Sequence, residues 1–153
     1  MNNMSEGITG LERVIRRIGE LATDTRQVER PLKAAGAYML GSIERNFRAQ
    51  GRPQKWQKLA AATLQRRRTG RGRGGAQILI DTARLKNSMS FRLVSAPGVE
   101  IGTNVIYGPR QHFGYPGGAG RGHSKTPARP FLMFQDEDYD ALAAIFKRHV
   151  ARL

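Results

Sequence analysis

The chain of 153 residues contains no cysteine. That absence excludes disulfides, thiolate metal sites, iron–sulfur clusters and cysteine nucleophiles together. Aromatic residues make up only 7% and include a single tryptophan, which argues against a platform on which successive bases of a single strand stack. No window reaches the roughly 18 apolar residues of a membrane span. The opening Met1-Asn2-Asn3-Met4-Ser5-Glu6 has neither a basic start nor an apolar signal core. The expectation is a protein made and used in solution, with no membrane. Acid is missing over one long stretch, because residues 45–80 hold ten basic side chains and no carboxylate.

What is present is a globular share of apolar residues, 39%, under a net charge of +14 from 26 Lys+Arg and 12 Asp+Glu. That much apolar content buries a core and is too much for a disordered polycation. The charge is local. Residues 1–44 balance six bases against six acids, residues 81–135 add seven bases and two acids, and the tail from Asp136 holds four acids and three bases. So one-sided a field costs self-repulsion unless phosphates or acidic protein surfaces neutralise it in use.

Hydrophobic periodicity predicts helices first. Thr9 and Glu12 form a capping box ahead of Leu11, Val14, Ile15, Ile18 and Leu21. After the Thr23-Asp24-Thr25 break, Leu32, Ala35, Met39, Ile43 and Phe47 mark a longer helix, with Pro31 in its first turn and Gly51 as its stop. Ala60–Arg68 forms a short helix, and Asp81 caps another over residues 82–88. Residues 89–95 and Val99–Ile101 make a hairpin around Pro97-Gly98. Tyr107–Phe113 makes a turn of helix. Pro127-Ala128-Arg129-Pro130-Phe131 is stiff and extended and brings residues 131–134 to the core or a strand edge. The last helix begins among Asp136, Glu137, Asp138 and Asp140, ends among Lys147, Arg148 and Arg152, and buries Tyr139, Leu142, Ile145, Phe146, His149 and Val150.

These elements give an α+β fold over one domain, residues 1–153. A small antiparallel sheet is covered by two long N-terminal helices and one C-terminal helix. Two long Gly/Arg-rich loops, about 66–76 and 114–126, interrupt it. Phe47, Trp56, Leu59, Leu85, Tyr107, Phe113, Pro130 and Phe131 are the expected structural anchors.

Catalytic patterns come close and fail. Gly117-Gly118-Ala119-Gly120-Arg121-Gly122-His123-Ser124 lacks the lysine of a phosphate-binding loop, and the prolines that follow prevent the helix such a loop needs. His112, His123 and His149 share no metal-ligand spacing, and no Gly-x-Ser-x-Gly turn exposes a nucleophile. The carboxylates at 136–140 point around a helix axis and do not converge. The chain is therefore expected to be no enzyme, with no cofactor, no metal and no small-molecule substrate. Its candidate contact residues are Arg66, Arg67, Arg68, Arg71 and Arg73, whose forks suit phosphate and carboxylate alike. Against DNA they would act without reading sequence. Against protein they would meet an acidic partner.

Several features recur together in a fixed order. They are Phe47, then Gly51-Arg52-Pro53 with Trp56, Leu59 and Thr63; Ile78-Leu79-Ile80-Asp81-Thr82 with Leu85 and Ser88; Val99-Glu100-Ile101-Gly102-Thr103-Asn104 with Tyr107; Gln111-His112-Phe113-Gly114; and Pro127-Ala128-Arg129-Pro130-Phe131-Leu132 before an acidic helix start. This set resembles the phage virion morphogenesis family of Mu-like tailed bacteriophages, which includes tail-completion proteins. The chain has Ala83 where that family usually has glycine, and a richer Arg/Gly stretch at 66–75. The resemblance implies an α+β structural protein of the head–tail connection, similar to neck, stopper and tail-terminator subunits. It implies a homo-oligomeric ring, partners among the phage head–tail connector and tail proteins, and non-specific contact with packaged DNA. Its place would be the neck or tail end of the virion, after synthesis in the host cytoplasm. A sequence-independent DNA-binding protein is the alternative.

Overall fold

A computed structural model describes residues 25–69, 75–95, 97–119 and 124–151. Among them run helices α1 (Thr25–Arg48), α2 (Ala61–Thr69), α3 (Arg84–Asn87), α4 (Gly108–Phe113) and α5 (Asp136–Val150), with strands β1 (Ser90–Val94) and β2 (Gly98–Gly102) paired antiparallel. The class is α+β. The helix expected over residues 9–22 lies outside the described residues.

Helix α1 starts at Thr25, six residues before Pro31, so the proline lies inside the helix and not in its first turn. An interior proline lacks the N–H that would bond back one turn, at a cost of about 3 kcal/mol. Burial offsets that cost, since Pro31 is buried, as are Val28, Ala35, Met39, Ile43 and Phe47 along the same helix. The helix ends as expected near Gly51. Gln50 and Gly51 both have positive φ, and a Cβ on Gly51 would lie 2.5 Å from the Gln54 carbonyl oxygen. Only glycine fits there.

The described chain groups into two compact units. The first comprises residues up to Tyr38, Phe91–Glu100 and the segment from Asp136. Here a Cβ on Gly36 would meet the Phe91 ring at 2.5 Å, so the missing side chain on α1 is what admits the aromatic of β1. Arg92 and Glu100 pair across the hairpin at 2.6 Å. On α5 only the first turn departs from the expected inward side: Tyr139 is 62% exposed and Asp138 is fully buried. Tyr38 Oη donates to Asp138 Oδ1, which makes burial of that carboxylate tolerable. Leu142, Ile145, Phe146 and His149 remain half-buried.

The second unit comprises Met39–Ser90 and Ile101–Gln135. Its core is Ile43, Phe47, Trp56, Ile78, Leu85, Val105 and Phe131, with Leu59 packed against it. Phe47 meets Trp56 edge-on at 5.8 Å and Phe131 at 5.5 Å. Trp56 Nε1 donates to the Pro130 carbonyl, and Asn46 Nδ2 to the Phe131 carbonyl. Arg52 closes the α1 end by donating to Asn46 Oδ1, Ser42 Oγ and the Ser42 carbonyl.

Three expectations in this unit are corrected. Tyr107 and Phe113 are not core anchors, being 41% and 77% exposed. His112 takes the inward position on short α4, its ring 5.0 Å from Phe131, and the next helical residue is swung about 100° away. Phe134, expected at the core or a strand edge, is 51% exposed. Asp81 does not cap α3; the residue before that helix is Ala83, with φ of 57°, and no side chain caps it.

A basic cleft as the candidate functional site

Helix α2 buries none of its residues, so tertiary packing does not dictate its sequence. Three successive arginines on a helix point in three directions. Arg67 turns inward, its side chain 12% exposed; it donates to the Gly75 and Gln77 carbonyls at 2.9 and 2.7 Å and lies 3.7 Å from Asp81 Oδ1. It ties α2 to residues 75–81. Arg66 and Arg68 stay exposed. Arg71 and Arg73 lie outside the described residues.

A second set of contacts shapes the opposite wall. Tyr115 and Thr126 exchange backbone hydrogen bonds of 2.8 Å. Arg110 clamps this bridge, donating to Thr126 Oγ1 at 3.0 Å and the Ser124 carbonyl at 2.7 Å, with its guanidinium 4.7 Å from the Tyr115 ring centre. The Gly-rich loop expected at about 114–126 is thus tied at its base, and its residues 120–123 lie outside the described ones.

Between these walls opens a cleft of about 640 Å³, lined by Lys58, Arg66, Arg67, Arg84, Lys125 and Arg129, with Asp81 as the one carboxylate among its described lining residues. Arg129 is the most deeply placed of these cations, 6% exposed. Among the described residues its guanidinium donates only to the Gln57 carbonyl, at 3.3 and 3.4 Å, and to Gln111 Oε1 at 3.4 Å. Burial, and then the charge of Arg67, lower its pKa from the ordinary arginine value. Two cations face one space, and the deeper one has no anion among the described residues.

Of the five expected contact arginines, the structure brings Arg66 and Arg67 to the cleft and leaves Arg68 off it. Sequence reasoning missed Lys58, Arg84, Lys125 and Arg129 as members of the site. For Arg129 a signal existed, since Pro127 and Pro130 stiffen the segment that carries it. His112 also gains a role: its Nδ1 accepts from the Phe131 and Leu132 amides at 3.3 and 3.5 Å, and burial pushes its pKa down. Among the described residues, no group of three or more His, Asp or Glu is placed to hold a metal ion, and no helix is long and apolar enough to cross a membrane.

Comparison with curated proteins and with solved structures finds no match. The sequence profile of the phage virion morphogenesis family, in contrast, matches residues 9–151, a span that includes α1, the cleft and α5, and this chain belongs to that family.

Proposed function

We propose that this chain is a non-enzymatic structural subunit of the phage head–tail connection, one that assembles as a ring and closes or joins tail and head. Family membership carries the coarser part of that statement, a role in phage virion morphogenesis for a virion-associated protein. The finer part rests above all on the cleft, where six cations surround one carboxylate. Such a surface is costly in an isolated subunit and becomes favourable when an anionic neighbour fills it. Exposed Ile106 and Phe113 add large apolar side chains to the same unit, as contact surfaces do. A ring built head to tail needs two different patches per subunit, and the charge asymmetry of this chain supports that geometry.

Electron microscopy of lysates from a phage with this gene interrupted tests the reading. Unjoined heads and tails are expected, with joining restored when the purified protein is added. Normal joined particles in its absence would overturn the proposal.

A second reading, contact with packaged DNA, draws on exposed Arg66 and Arg68, which stand on a helix free of core obligations. It predicts retention of the protein on duplex DNA that weakens steeply with salt and does not depend on sequence.

A further inference from the structure

The cleft floor has an unmet requirement. A guanidinium that is 6% exposed, with carbonyl and amide oxygens as its only acceptors among the described residues, all at 3.3 Å or more, has there no bidentate oxyanion of the kind its fork suits. Above it, Lys58, Arg66, Arg84 and Lys125 form a cationic rim. The opening is concave, so the group that reaches Arg129 must enter it. Phosphates on the outside of a rigid duplex meet the rim only, whereas a carboxylate on a protein side chain can reach the floor.

Acids on this chain are few, and most of the described ones are engaged. Glu29 pairs with Lys33, Glu44 with Arg48 and Lys86, Asp81 with Arg67, and Glu100 with Arg92. Asp138 is buried against Tyr38. Asp136 and Asp140 differ: both are exposed, and neither makes an ion pair with a described cation. Four residues apart on α5, they lie on one helical stripe, an arrangement of like charges that is mildly unfavourable unless a cation approaches.

We propose that the Asp136/Asp140 stripe of a second copy of this chain docks in the basic cleft, with Arg129 as the residue that receives a carboxylate. This deepens the ring reading above and rests on it. The contact is head to tail, because the acidic stripe and the cleft are made of different residues of the chain, so each docked copy leaves a free cleft and a free stripe for the next. It also explains why the excess of positive charge is compatible with assembly: the two surfaces that meet have opposite signs.

The test is analytical ultracentrifugation of the full chain at low salt, with melting curves to verify folding. One variant neutralises the stripe (Asp136→Asn with Asp140→Asn), and a second reverses two exposed rim residues (Arg66→Glu with Lys125→Glu). Arg129→Lys probes the floor by keeping the charge and removing the fork. Each is expected to weaken self-association by about tenfold or more. Mixing the stripe and rim variants should restore one sound interface, between an intact cleft and an intact stripe, and so produce dimers and nothing larger. Wild-type association by folded stripe and rim variants would overturn the docking, and if those variants also still join heads to tails the ring reading survives without it. A rim variant that loses duplex DNA but associates normally would also overturn it, in favour of a DNA contact. A wild-type chain that stays monomeric at every concentration would overturn docking and ring together.

Discussion

Tyr38 Oη donates a hydrogen bond to Asp138 Oδ1 at 3.1 Å, linking two residues a hundred positions apart and α1 to α5. The carboxylate it serves is completely buried. Tyr38→Phe keeps the ring and deletes the donor, so part of the desolvation cost of Asp138 goes unmet. The expected loss is about 1–3 kcal/mol. Denaturant titration should show a lower midpoint with an unchanged slope.

Trp56 is 6% exposed, edge-on to Phe47, and its indole N–H donates to the Pro130 carbonyl. Trp56→Ala is expected to cost about 3–5 kcal/mol through lost burial and a residual cavity. Trp56→Phe should cost less, since most of the apolar volume remains and only the hydrogen bond to Pro130 is lost. Equal melting temperatures for wild type and the alanine variant would place the ring outside the core.

Helix existence was legible because apolar residues recur at helical spacing, and burial at Ala35, Met39, Ile43 and Phe47 follows that stripe. What failed was anything set by a distant partner. Burial of Asp138 in the first turn of α5 goes with its hydrogen bond to Tyr38, a partner that no local pattern around Asp138 reveals. Tyr107 and Phe113 read as anchors because they are aromatic, yet on a helix of six residues His112 takes the inward position. The site was half legible: the arginine run announces itself, whereas Lys58, Arg84, Lys125 and Arg129 come from scattered segments that only the fold gathers.

Ala83 holds a left-handed backbone, φ 57°, immediately before α3. An L-residue there carries roughly 1–2 kcal/mol of strain that glycine avoids, partly offset by the greater freedom of glycine in the unfolded chain. Ala83→Gly is therefore expected to stabilise the protein by about 0.5–1 kcal/mol, read as a higher denaturation midpoint. The same φ accounts for the glycine usual at this position in the family pattern. A destabilised glycine variant would show that the alanine methyl contributes packing that outweighs the strain.

His112 accepts two backbone N–H groups at Nδ1, so its remaining proton sits on Nε2 and the folded protein favours the neutral ring. Burial lowers its pKa below the ordinary histidine value of about 6.5. The unfolded chain therefore binds a proton first as pH falls. Stability from this group is full above about pH 6.5 and declines from there down to the folded-state pKa, below which it levels. Replacing His112 with Asn should flatten the melting-temperature profile across that window. An unchanged profile would show that other groups set the acid response.

Arg66, Arg67 and Arg68 are chemically identical neighbours with different expected phenotypes. Arg67 alone is turned inward, holding two carbonyls of residues 75–77 with Asp81 nearby. Its replacement by Ala leaves those acceptors short of a charged donor, at an expected cost of about 1–3 kcal/mol. Arg66→Ser and Arg68→Ser touch exposed side chains and should change stability by about 0.5 kcal/mol or less. If the helix also meets packaged DNA, the two outer substitutions should lower the slope of log affinity against log salt by about 0.9 for each phosphate contact removed, with no dependence on DNA sequence. Equal destabilisation by all three replacements would mean that α2 is held by its outer face as well, and that neither outer arginine is free to engage a partner.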